Sequence, residues 1–175
     1  MRLEEAKHIE FLLKKFTGNK TKSEVLLNLG SSTGDFRKIQ QPHINSYVFQ
    51  PLKESIYKTI HFDLKSDEGV DISGNIFDLE TQKTLKKIKP TIIMCCNLME
   101  HLEEGLRNEI QNIFDLLLEK DGILLITVPY SYPLHFDPID TYFRPSPQEL
   151  SKLFPSYRII DESIIMSARF IDEFL

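Results

Sequence analysis

The apolar positions of this chain follow two periods in turn. From Glu4 to Phe16, Ile9, Leu12, Leu13 and Phe16 recur at helical spacing among charged residues, which predicts an amphipathic helix ended by Gly18-Asn19. Glu24 to Leu29 is instead a short, nearly continuous apolar run, the mark of a strand buried on both faces. Gly30 to Gly34 reads as a turn and Asp35 to Gln40 as a short helix stopped before Pro42, while residues 41–56 show no clear pattern. Ile60 to Leu64 and Val70 to Ile76 read as strands, the second weakened by Gly74. A helix over Asp78 to Lys87, a buried strand over Thr91 to Cys96 and a helix over Glu103 to Glu119 follow, the last with Leu106, Ile110, Ile113, Phe114 and Leu117 on one face. Lys120-Asp121-Gly122 is a stop before the strand Ile123 to Val128, and Pro129 to Pro145 is a long loop. Pro147 to Phe154 predicts a helix capped by Ser146 with Glu149 completing a capping box, and Tyr157 to Ile160 begins a last strand. The chain then ends on an apolar stretch, Phe170 to Leu175, that reads as a docked or interrupted strand.

Strands alternating with helices predict an α/β fold, a Rossmann-like three-layer sandwich with a mostly parallel central sheet, as one domain over residues 1–175. Such sheets bind ligands beyond the carboxyl ends of their strands. The residues of interest should therefore lie just after strands.

Composition narrows the classes. With 41% apolar and 27% charged residues the chain is an ordinary globular one, and its apolar runs are too short to span a bilayer. Met1 to Glu5 carries acids where a signal peptide needs a basic and then an apolar region, so a cytoplasmic protein without membrane partners is expected. A net charge of −5 argues against a nucleic-acid surface, and Lys83, Lys86, Lys87 and Lys89 read as a solvated helix face. Cys95 and Cys96 are adjacent, so on a strand they point to opposite faces; two buried free thiols are expected, and neither a disulfide nor a metal site. The oligomeric state is left open.

The candidate chemistry falls where the topology asks for it. Asn28-Leu29-Gly30-Ser31-Ser32-Thr33-Gly34 is a small-residue turn opening into a helix, fit either to admit a carboxylate or phosphate or simply to turn the chain. Asp63, near the exit of the second strand, can accept both hydroxyls of a ribose or be a solvated turn acid. His135 in the long loop is the candidate general base, against a role packing on Pro133 and Pro138. Asp140 and Arg144 are read as a pair bracing that loop, or else as substrate contacts, and Tyr130, Tyr132 and Tyr142 as an aromatic wall or as loop packing. His101 is read as a cap or packing residue.

In order, these segments resemble the class I S-adenosylmethionine-dependent methyltransferases over about Glu24 to Phe154. NLGSSTG stands where that family has an acidic glycine-rich turn, and Asp63 matches its acid after the second strand. Gly74-Asn75 matches its glycine-aspartate pair, and IIMCCNLMEHL and LLLEKDGILLITVPY resemble its fourth and fifth strands with their flanks. PYSYPLHFDPIDTYFRPSPQELSKLF is similar to a pattern of one bacterial subgroup. The resemblance implies S-adenosylmethionine as cofactor, held by Asn28, Gly30, Ser31, Ser32, Gly34, Asp63, Asn75, Ile76, Asn97 and Leu98. It implies methyl transfer to a small-molecule or glycan-type acceptor. Asn28, Ser32 and Asn75 depart from the family pattern, each keeping a hydrogen-bonding group while losing charge or adding bulk. Those departures suit a second reading, a non-catalytic binding domain of the same fold. A nicotinamide-dependent oxidoreductase shares the turn, but no tyrosine-x-x-x-lysine pair accompanies it.

Overall fold

Five strands form one sheet in the computed structural model, which describes residues 1–17, 24–54, 58–136 and 139–167. They are β1 (Val25–Leu29), β2 (Lys58–Asp63), β3 (Ile72–Ser73), β4 (Ile92–Cys96) and β5 (Ile123–Thr127), all parallel and in the order 3-2-1-4-5. Successive side chains of a strand leave on opposite faces, and here both faces are buried. Leu27, Leu29, Ile93 and Cys95 enter one core, which is closed by the helices α2 (Leu79–Lys86), α3 (Glu104–Leu117) and α4 (Pro147–Lys152). Leu26, Ile92, Met94 and Leu125 enter the other, against α1 (Leu3–Thr17) and the helical run 42–54. This two-sided burial is why the β1 and β4 sequences read as unbroken apolar runs. The α/β sandwich expected from the sequence is the observed fold.

Several elements differ from expectation. Residues 42–54 are helical, assembled from Pro42–Ile44, a π-helical turn Asn45–Phe49 and Gln50–Glu54. Ile44, Val48, Phe49 and Leu52 are buried from it at helical spacing, but Pro42 and Pro51 interrupt the sequence signal. A second π-helical turn, Phe36–Gln40, precedes it. The second strand begins two residues early, at Lys58. The strand expected over Val70 to Ile76 contracts to Ile72–Ser73, because Val70 N–H turns back to Asp67 O and Asp78 N–H closes a turn on Asn75 O. Tyr157 to Ile160 is not a strand: it pairs with no strand among the described residues, and Ile159 and Ile160 are about half exposed. The chain there continues against α1, where Lys15 pairs with Asp161 and Ser163 meets His8.

The capping box at Ser146 and Glu149 is formed, with both reciprocal hydrogen bonds. Lys83, Lys86, Lys87 and Lys89 are exposed. Cys95 is buried, but Cys96, the last residue of β4, is only half-buried; both are free, and burial pushes both thiols above their ordinary range. The Gly18-Asn19 stop, Pro138 and the Phe170 to Leu175 ending lie outside the described residues. No helix among the described residues is long and apolar enough to cross a membrane.

Candidate functional site

The strand order reverses between β1 and β4, and the crevice at their carboxyl ends is where an open parallel sheet admits a ligand. Register sets Leu29 beside Phe62 and Cys95, so the exits of β1, β2 and β4 are level. The chain leaves β1 in a tight turn, with Gly30 at φ +67° and Ser32 at φ +55°. A left-handed backbone suits glycine, and Gly30 is doubly constrained, since a Cβ there would stand 3.1 Å from Leu98 Cδ1. Ser32 holds the same conformation with a side chain, and its N–H donates to Asp63 Oδ2 at 2.7 Å. Asp63 Oδ1 accepts from Lys65 N–H at 3.1 Å.

Arg37 locks this turn from beneath. Its side chain is buried, and the guanidinium donates to the carbonyls of Ser31, Ser32 and Gly69. Gly34 N–H donates to Glu68 O at 2.7 Å, joining the turn to the loop after β2. Desolvation lowers the Arg37 pKa, while Asp71 and Asp63 favour its charge. No sequence pattern points to Arg37, a lone arginine just inside the helical turn that follows.

The other expected cofactor residues have internal partners. Asn28 is buried, and its Nδ2 lies 3.1 Å from Nδ1 of His61, its neighbour across β2. Burial and the nearby Arg37 push the His61 pKa down to about 4, so this imidazole is neutral. Asn75 Oδ1 accepts from Phe77 N–H, closing the turn before α2. Ile76 belongs to the core, and its carbonyl accepts from Gln82. Asn97, at φ +50°, donates through Nδ2 to Glu5 Oε1 at 2.8 Å, and Thr127 Oγ1 donates to the same oxygen at 2.6 Å. Thus α1 contributes a carboxylate to the exits of β4 and β5, a placement that no local pattern announces.

Beyond β4 and β5 lies a second polar group. Arg144 and Asp140 form a pair whose side chains are 8% and 0% exposed, and that hydrogen bond holds the Asp140 pKa down to about 2. Arg144 also donates to the carbonyls of Tyr132 and Phe143. His135 Nδ1 lies 3.1 Å from Asp140 Oδ2, at ion-pair distance though off the hydrogen-bond axis. The His101 ring meets the His135 ring edge to face at 5.2 Å, and the Tyr132 ring meets it at 5.9 Å. His101 Nδ1 donates to Ile139 O at 3.1 Å, because a carbonyl can only accept; burial lowers its pKa, leaving a neutral ring with a basic Nε2. His101 does more than pack, since it ties the turn Met99–His101 to the long loop. Thr141 tightens the same seam, donating to Glu100 O.

Glu100 is the least expected member. It is 1% exposed, its Oε1 lies 3.9 Å from His101 Nε2, and its Oε2 has no hydrogen-bond partner among the described residues. Burial raises its pKa to about 7. The structure therefore brings Gly30, Ser31, Ser32, Gly34 and Asp63 together, and separately gathers His135, Asp140, Arg144 and Tyr132. Tyr130 and Tyr142 stand in solvent at 51% and 63% exposed, so only Tyr132 of the three forms a wall beside His135. No group of three His, Cys, Asp or Glu among the described residues is placed to hold a metal ion. No family model matches the chain, and no curated protein is significantly similar to it.

Proposed function

We propose that the protein binds S-adenosylmethionine at the exits of β1, β2 and β4 and methylates a hydroxyl-bearing small-molecule or glycan-type acceptor held by the loop after β5. The observation that carries this reading is the left-handed Gly30–Ser32 turn at the strand-order reversal, fastened through Ser32 N–H to Asp63. The residues suit the cofactor. A carboxylate has about four acceptor positions, so Asp63 keeps capacity for two ribose hydroxyls after bonding two backbone N–H groups.

When bound, the cofactor would supply an already activated methyl group for transfer to the acceptor oxygen, with its own sulfur as the leaving group. The protein's task is alignment, exclusion of water and removal of the hydroxyl proton. His135 takes that proton, and Asp140, fixed by Arg144, stabilises the imidazolium. His101, neutral and 5.2 Å away between ring centroids, is a second acceptor beside it.

A calorimetric titration with S-adenosylhomocysteine tests the reading. At a hundredfold its Kd the ligand adds about 2.7 kcal/mol of stability and raises the midpoint by roughly 5–10 °C. A flat titration and an unmoved midpoint at millimolar ligand refute it. The internal engagement of Asn28, Asn75 and Asn97 favours a second reading, a non-catalytic domain of the same fold. Binding without turnover on any hydroxylated acceptor would select it.

A further inference from the structure

Glu5, in the first turn of α1, reaches the ends of two strands at once. Its Oε1 accepts from Asn97 Nδ2 at 2.8 Å and from Thr127 Oγ1 at 2.6 Å, and its Oε2 accepts from Arg2 N–H at 3.1 Å. A carboxylate only accepts hydrogen bonds, so it dictates which way round the Asn97 carboxamide lies: Nδ2 faces α1 and Oδ1 is turned away from it. No described residue donates to that Oδ1. The Asn97 backbone is pinned as well, at φ +50° with its N–H donated to Thr127 O at 2.9 Å. Asn97 is half-buried and stands at the ligand crevice: β4 ends at Cys96 just before it, and Leu98 just after it lies against Gly30 in the turn that leaves β1.

We propose that Glu5 is a positioning residue: by holding Nδ2 it makes Asn97 present a bare acceptor, Oδ1, to the crevice, so that this position selects a ligand bringing an N–H or O–H donor to it. The inference rests on the cofactor reading above, in which that ligand is the cofactor. Only a carboxylate at this place enforces the orientation. In Glu5→Gln the new amide satisfies every partner when its nitrogen donates to Asn97 Oδ1 and Thr127 Oγ1 and its oxygen accepts from Arg2 N–H. Turned the other way, its NH2 group would face the Arg2 N–H, donor against donor. Asn97 therefore reverses in this variant and offers the ligand a donor in place of an acceptor.

The experiment is calorimetric titration of S-adenosylhomocysteine into the parent, into Glu5→Gln, and into Glu5→Gln combined with Asn97→Asp, with urea unfolding of each. In the combined variant the glutamine nitrogen donates to one oxygen of the new carboxylate, and the other oxygen takes the place of Asn97 Oδ1; aspartate also tolerates the left-handed backbone. Glu5→Gln is expected to weaken binding roughly fivefold, the loss of one hydrogen bond to the ligand, with its unfolding midpoint close to the parent's. The combined variant is expected to recover most of the lost affinity. Affinity in Glu5→Gln equal to or above the parent's overturns the proposal, as does a loss that the combined variant does not recover. A loss of affinity matched by a loss of unfolding stability also overturns it, since Glu5 would then be a brace for α1. A flat titration in the parent removes the cofactor reading and this inference with it, whereas parent binding that is indifferent to Glu5→Gln removes this inference alone.

Discussion

Replacing Glu100 by glutamine should make the protein more stable at alkaline pH, although it removes a charged group from a polar cluster. The carboxyl is 1% exposed, one of its oxygens has no partner among the described residues, and burial lifts its pKa from 4.5 to about 7. Between those values the unfolded chain has released its proton while the native protein keeps it, so stability falls as pH rises through the window. The displacement corresponds to roughly 3 kcal/mol at pH 8. His61 acts in the opposite sense. Its folded pKa of about 4 lies below the ordinary 6.5, so its contribution is present above pH 6.5 and is lost as pH falls toward 4. The two largely cancel in the parent protein between about pH 4.5 and 6.5. Glutamine preserves shape and cannot ionise, so the difference between variant and parent isolates Glu100, with His61 common to both. Urea unfolding at pH 5 and pH 8 reads it. The two proteins should agree within about 1 kcal/mol at pH 5, and the variant should gain up to about 3 kcal/mol at pH 8. A variant that tracks the parent at both values, or is weaker at pH 8, refutes the argument that Glu100 is held against its ionisation.

Asp140→Ala and Arg144→Ala each strand a buried charge and should cost about 3–5 kcal/mol, whereas the double substitution should cost clearly less than the sum; additive losses in urea unfolding would dissolve the pair. The Asp140 contribution, present above its ordinary pKa of 3.8, should fade as pH falls through about 2, which acid unfolding of the parent against Asp140→Ala will measure. Asp63→Ala should lower S-adenosylhomocysteine affinity at least roughly tenfold by losing charged hydrogen bonds. Because Asp63 also accepts Ser32 N–H, it should in addition destabilise the free protein by about 1.5–3 kcal/mol, and an unmoved melting point would show that Asp63 does not brace the turn.

Much of the architecture was legible because local and global signals agreed. The β1 and β4 runs are apolar throughout since both faces are covered, and Ser146 with Glu149 announces a helix start that tertiary packing leaves intact. The helical run 42–54 was hidden for a physical reason: Pro42 and Pro51 read as breaks, although Ile44, Val48 and Leu52 keep a helical spacing of four towards the core. Tyr157 to Ile160 has a strand's composition, but a strand needs a paired neighbour and none lies there among the described residues. At the site, turn and strand-end residues were visible because topology places them at exits. Glu5 and Arg37 were not, since Glu5 reaches Asn97 across 92 positions of sequence and Arg37 works through backbone carbonyls that every residue possesses. No pattern in the sequence shows what Glu100 and His101 face; only the folded loop does.

The contact between Gly34 and Gly69 carries a consequence for how this sequence can drift. A Cβ on Gly69 would stand 2.7 Å from Gly34 Cα, and one on Gly34 would stand 3.3 Å from Gly69 Cα. Most touching positions can exchange bulk, one shrinking as the other grows. Here each is already the smallest residue, so neither change has a compensating partner and no double substitution rescues it. The pair fixes the loop after β2 onto the turn after β1 like two rivets, and insertions near either end would pull it apart. Length variation among relatives should therefore collect between them, around the helical run 42–54, where an added turn can be absorbed without moving Ser32 from Asp63.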